Sequence, residues 1–344
     1  MTYLSVILVY LFALIAIGIV KSRKIHTQSD FALAGRALTP WVLVGTMLAS
    51  WIGTGSILGN AGKTYETGMA ALMLPIGSIL GIILLTRIAG KVRSYEKYTV
   101  PEIIGDRYGP VARNLSVFTL VMAYMVIVSY QYNAGGAVLY TILADNTGTS
   151  IISIELATII AAVFIIAYTM LAGLLSVAYT DAANSIIMTL ALIISLPILW
   201  IKAGSWSGME TAFAAMNKSQ HMQFGGVYSA MDIINFCLPP FLLVIGDANM
   251  YQRFSASKDV QSARYSTTIL VFAVLFIELL IIVSAWVSSS MIPEAEVGKH
   301  VLIYAAHRFL PTFLGAIMLT TIVGIIISTA DSFLLVPANT LIRD

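Results

Sequence analysis

Three aspartates, Asp181, Asp247 and Asp331, stand inside apolar runs long enough to cross a bilayer. A carboxylate at the centre of such a helix costs at least about 2.5 to 3.5 kcal/mol on insertion scales, so it faces a cavity, an ion or a partner. Asp331 belongs to the run Ser328-Thr329-Ala330-Asp331-Ser332. Positions three and four apart share a helix face, so Ser328, Asp331 and Ser332 point one way, with Thr329 about 100° round. Hydroxyl and carboxylate oxygens are hard ligands of the kind alkali cations prefer, by the softness rule that assigns oxygen to magnesium and calcium. A lone hydroxyl more simply bonds back to its own helix. A cluster that includes a carboxylate is a candidate ion site. Asp181 lies roughly 10 Å from the end of its run at 1.5 Å per residue, too deep for so short a side chain to snorkel.

Two runs are poor continuous helix. Ala49-Ser50-Trp51-Ile52-Gly53-Thr54-Gly55-Ser56 places two glycines among hydroxyl residues, which disfavours helix. Unwinding there would free backbone carbonyls, tolerated in a membrane only where protein, water or an ion satisfies them; close packing on small residues is the other reading. In the run 229–256, Pro239-Pro240 removes two backbone donors and Gly246-Asp247 follows about two turns later. Two interrupted helices, each opening a set of helices, are the best sequence pointer to a transporter binding site. Tyr124, Tyr130, Gln131, Tyr132 and Asn133 either line a cavity for a polar solute or serve as interfacial belt and helix–helix contacts.

The elements that carry these residues follow from composition. Of 344 residues, 58% are hydrophobic and 10% charged, against about 25% charged in soluble domains, so the expected class is an all-α polytopic membrane protein. Net charge is +2, no field for a nucleic-acid partner. A single cysteine, Cys237, excludes a disulfide framework, and four scattered histidines lack metal-ligand spacing. Nine apolar stretches are expected to span, at 3–20, 39–62, 69–90, 114–141, 150–170, 175–202, 229–256, 265–289 and 311–337. Residues 3–20 have no preceding basic region and no cleavage site after them, so they are read as a retained helix. With the N-terminus outside, 14 of the 19 basic residues, Arg253 among them, fall in cytoplasmic segments, as the positive-inside rule requires. The expected location is the cell membrane, multi-pass, N-terminus outside and C-terminus cytoplasmic, with residues 1–344 a single transmembrane domain.

Four segments together resemble the sodium:solute symporter family: Tyr98-Thr-Val-Pro-Glu102 with Asp106-Arg107-Tyr-Gly109; Ala172-Gly173 through Thr180-Asp181; Gly246-Asp-Ala-Asn-Met-Tyr251-Gln-Arg253 with Ala256-Ser-Lys-Asp259; and Ser328-Thr-Ala-Asp-Ser332. They occur in the family's order. The resemblance implies a LeuT-like five-plus-five inverted repeat, in which broken helices surround a midplane site. Residues 3–20 would then be an extra leading helix, 39–202 the first repeat, and 229–337 part of an incomplete second one, as in a fragment or a truncated chain. It also implies sodium held by the carbonyls of Ala49, Ile52 and Ile325 and the hydroxyls of Ser328 and Thr329. Asp181, Asp331 and Ser332 match a further cation position, for sodium or a proton. The solute would sit near Ser50, Trp51 and Thr54, with Asp247 and Asn249 on the other side and Gln131 opposite; Asp247 could meet a hydroxyl, an ammonium or a helix terminus. The expected activity is sodium-coupled symport of a small polar organic solute by alternating access. No nucleophile, base and orienter constellation suggests an enzyme, and a sensory input module of the same fold is the rival reading.

Overall fold

Backbone amides in hydrocarbon must be satisfied within their own segment, which favours helices. The computed structural model describes residues 2–22, 26–143, 150–293, 298 and 300–344. In chain order the helices are α1 (Thr2–Ser22), α2 (Gln28–Leu33), α3 (Pro40–Trp51), α4 (Ala61–Thr67), α5 (Ile76–Ser94), α6 (Val100–Tyr108), α7 (Pro110–Leu143) and α8 (Ile154–Lys202). They continue with α9 (Ser205–Ala215), α10 (Ala230–Gly246), α11 (Ala248–Ala256), α12 (Val260–Ser289), α13 (Val301–Arg308) and α14 (Thr312–Arg343). Strand pairing among the described residues is limited to an isolated bridge between Leu38 and Ser257.

Six helices among the described residues are long and apolar enough to cross a membrane, and the pair Pro40–Trp51 and Gly55–Met73, bent by 52°, makes a seventh as a broken span. Two expected spans fall short of that measure. Ile154–Met170 is a shorter apolar helix, and α5 carries Arg87, Lys91 and Arg93 toward its end. The 49 residues of α8 are two helices joined at Gly173, where φ is +57° and ψ 170°. Only glycine enters that region readily. An unbroken helix of that length would measure about 73 Å, far beyond the roughly 30 Å hydrocarbon core.

The helix bearing the hydroxyl–aspartate cluster is the centre of the molecule. α14 packs against α7 and α8, α3 against α8, α10 and α12 against α5, and α1 against α8 and α14. The apolar window of α14 is 78% buried and that of α7 is 11%, so α14 is core and α7 a wall. Leu115, Phe118 and Val126 of α7, with Val9 and Phe12 of α1, face outward, where lipid rather than water covers them at no hydrophobic cost.

Candidate ion and solute site

The first break forms as the glycines and hydroxyls imply. Pro40 opens α3 at a position where its missing N–H costs nothing. The helix ends at Trp51, and Ile52 leaves helical geometry with ψ 86°. Gly53 N–H turns back to the Trp51 carbonyl, 3.0 Å. Ala49, whose carbonyl would otherwise accept that amide, instead accepts the Thr329 hydroxyl across from α14, 3.2 Å. A Cβ on Gly53 would lie 2.9 Å from both Thr329 Oγ1 and Cγ2, so glycine is required for this approach. A π-helical turn, Gly55–Asn60, follows; such turns concentrate at functional sites.

The second half of the candidate ion site is built by α8, α11 and α14. Asp181, 1% exposed, accepts hydrogen bonds from Ser328 and from Thr46 Oγ1, 2.6 Å. Gly45 permits this contact, because a Cβ there would fall 2.6 Å from the Ala182 Cα. Ser332 Oγ lies 3.1 Å from Ser50 Oγ and accepts from Arg253 Nη2, 2.5 Å. Arg253 itself is 0% exposed and 3.7 Å from the Asp181 carboxylate. The sequence expectation counted Arg253 only among the basic residues of the cytoplasmic segments; in the structure α11 carries it into the core as the cation beside Asp181. Its signal was its place on a short helix six residues beyond an intramembrane aspartate. Asp331 accepts from Thr169, on the other side of the α8 break. The cation position expected at Asp181, Asp331 and Ser332 is therefore divided: Asp181 and Ser332 share Arg253, and Asp331 has a separate partner.

Of the two features expected to interrupt the run 229–256, the break forms at Gly246-Asp247, about two turns beyond the prolines. α10 continues through Pro239 and Pro240 and ends at Gly246, with Asp247 extended at ψ 102°. Asp247 caps α11, its Oδ1 accepting the Asn249 amide at 3.0 Å, and accepts the Tyr124 hydroxyl at 2.6 Å. Tyr124 from α7 thus holds the break closed. Asp247 Oδ2 and Asn249 Nδ2 are buried with no hydrogen-bond partner among the described residues.

A cavity of about 700 Å³ opens beside the first break, within the range of small-ligand sites. Of the residues expected to hold solute, Ser50, Trp51 and Gln131 line it, and Thr54 hydrogen-bonds Gln131 from behind. Thr329 also reaches this wall. Asp247 and Asn249 do not; Asp247 lines a separate cleft between α6, α7 and α10. The cavity also contains Glu278 of α12, 2% exposed, which sequence reasoning passed over. The insertion-cost argument that singled out the aspartates applies to it equally, as the one carboxylate in the run 265–289.

Comparison with known proteins agrees with this architecture. The model of the sodium:solute symporter family matches residues 31–344. The sodium/proline symporter of Escherichia coli K12 is 28% identical over 205 residues, 58% of this chain and 40% of that protein. High-affinity choline transporter 1 of Drosophila melanogaster is 30% identical over 213 residues, 60% of this chain and 33% of that one. The chain spans less than half the length of these relatives. A solved sodium-coupled sialic acid symporter, in a substrate-bound outward-open state with a novel sodium site, superposes with a TM-score of 0.83 at 15% identity, covering 99% of this chain and 72% of that one. This likeness establishes the LeuT-like fold. With broken helices at Ile52 and Asp247 framing a buried polar core, and a family match over most of its length, the chain belongs to the sodium:solute symporter family.

Proposed function

We propose that the protein imports a small polar organic solute across the cell membrane on an inward sodium gradient, with its N-terminus outside and its C-terminus cytoplasmic. The observation that carries this reading is the Thr329 hydroxyl meeting the freed Ala49 carbonyl across the gap between α3 and α14. Sodium, as co-substrate, would be held by the carbonyls of Ala49, Ile52 and Ile325 and the hydroxyls of Ser328 and Thr329. A hydroxyl that donates its proton, as Ser328 does to Asp181, keeps lone pairs for a cation. An ion shifts an alternating-access equilibrium only by binding one state better than the other. Ligands drawn from two helices meet that condition, because relative movement of α3 and α14 dissolves the site.

Arg253 bears on the number of ions. Its guanidinium lies beside both Asp181 and Ser332 and compensates the carboxylate, which supports one sodium at the α3–α14 junction rather than a second at Asp181, Asp331 and Ser332. The solute would contact Ser50, Trp51, Thr54 and Gln131 in the cavity. Asp247 and Asn249 support the α10–α11 break instead of touching solute. Translocation needs no covalent step.

The test is uptake of labelled solutes into proteoliposomes under an inward sodium gradient, with potassium as control. Sodium-dependent accumulation is expected. Saturable binding without flux would favour the sensory module instead, and equal uptake in potassium would refute sodium coupling.

A further inference from the structure

The cavity beside the first break contains two charged side chains, Lys63 and Glu278, and they are not equivalent. Lys63 is compensated: its Nζ pairs with Glu66 at 3.0 Å and lies 5.3 Å from the centre of the Phe236 ring. Glu278 stands mid-helix on α12, and its oxygens accept from neutral donors, Ser56 Oγ at 2.5 Å and Asn60 Nδ2 at 2.9 Å. Among the described residues no Lys, Arg or His forms an ion pair with it. A carboxylate has about four acceptor sites, so Ser56 and Asn60 leave about half of them available to the cavity.

The rest of the wall suits a cation. Trp51 and Tyr130 contribute aromatic rings, whose faces attract positive charge, most strongly where water is excluded. A carboxylate with aromatic faces is the chemistry of an ammonium site. A neutral polyol would leave the buried charge uncompensated, and an anion would be repelled by it.

We propose that Glu278 receives a positively charged nitrogen of the transported solute, which is therefore a small amine-bearing molecule. This deepens the symport reading by naming the solute's charge. Ser56 and Asn60 belong to the π turn just after the break, so Glu278 ties α12 to the first broken helix and an ammonium would bind beside that tie.

The experiment uses the full chain in nanodiscs and in proteoliposomes. Proline, choline and glycine betaine are the amine probes; glucose and pyruvate are the neutral and anionic ones. In nanodiscs, calorimetric binding in sodium chloride is expected for at least one amine probe and for neither of the others. Glu278→Gln should weaken that binding tenfold or more, Glu278→Asp should restore part of it, and the sodium concentration for half-maximal binding should stay unchanged. Size-exclusion profiles identify a variant that fails to fold, and Ser56→Ala, which removes one donor and keeps the charge, then replaces it, with weaker discrimination between amine and neutral probes expected. Binding of glucose or pyruvate alone, absence of binding by every amine probe, or equal amine affinity in Glu278→Gln overturns the inference. A shift in sodium dependence with solute preference unchanged also overturns it, making Glu278 an ion ligand. Amine binding that responds to Glu278, without sodium-driven uptake, keeps the inference and rejects symport; sodium-driven uptake of glucose indifferent to Glu278→Gln does the reverse.

Discussion

Asp181 meets groups from three other helices: Thr46 on α3, Ser328 on α14 and Arg253 on α11. Removing one member of a buried ion pair strands the other and costs about 3 to 5 kcal/mol, whereas removing both costs much less. Asp181→Asn should therefore lower the melting temperature in nanodiscs sharply, and Asp181→Asn with Arg253→Gln should recover much of the loss. A double variant as unstable as the single one would show that the pair is not the main determinant. The neighbouring hydroxyls act differently, since Thr329 touches a backbone carbonyl rather than a charge. Ser328→Ala with Thr329→Ala should raise the sodium concentration for half-maximal uptake about tenfold, equivalent to roughly 1.4 kcal/mol; unchanged sodium dependence would place the ion elsewhere. Asp181 and Ser328 were legible as intramembrane polar residues. The partner that Asp181 shares with Ser332 was not, because Arg253 reads as one more charge of a cytoplasmic segment until α11 is seen inside.

Elements position these residues through small side chains at close approaches. At Gly53 an added methyl would press on Thr329, and overpacking of this kind costs about 1 to 3 kcal/mol. Gly53→Ala should weaken sodium dependence by displacing the Thr329 hydroxyl while the protein still purifies as a single species; wild-type sodium affinity would mean that Thr329 can move at no cost. Capping matters at the turn between α11 and α12. Asp259 caps α12, and the Ser262 amide, 2.6 Å from its Oδ1, holds the carboxyl below the usual aspartate range. A carboxyl lowered by folding contributes stability above its unfolded pKa, about 3.9, and loses it as pH falls through the folded value. The melting-temperature gap between wild type and Asp259→Ala should accordingly be full at neutral pH and narrow in acid, measured from pH 7 to pH 3. The broken first helix was visible in its glycines. The second break was displaced from the prolines because a helix can accommodate proline where neighbouring elements satisfy the freed carbonyls, whereas Asp247 supplies an N-cap that starts a new helix.

At the scale of the whole molecule, α14 is the axis around which the other helices pack, and orientation decides which way its ion site opens. On a Cys237→Ser background, Lys91→Cys should react with an impermeant maleimide only after permeabilisation and Glu210→Cys before it; the opposite pattern would invert the topology. Both positions are exposed. The sequence by itself determined the class of solvent, the helical fold, the first break and the oxygen chemistry of Ser328, Thr329 and Asp181, because hydropathy, glycine content and the cost of intramembrane charge are local properties. Tertiary structure alone decided the partners: Arg253 with Asp181, Thr169 with Asp331, Tyr124 with Asp247, and Ser56 and Asn60 with Glu278. These pairs join residues 72 to 222 positions apart. Pairing over such separations is set by how helices pack against one another, and helical periodicity specifies only the face a residue occupies, not the helix it meets.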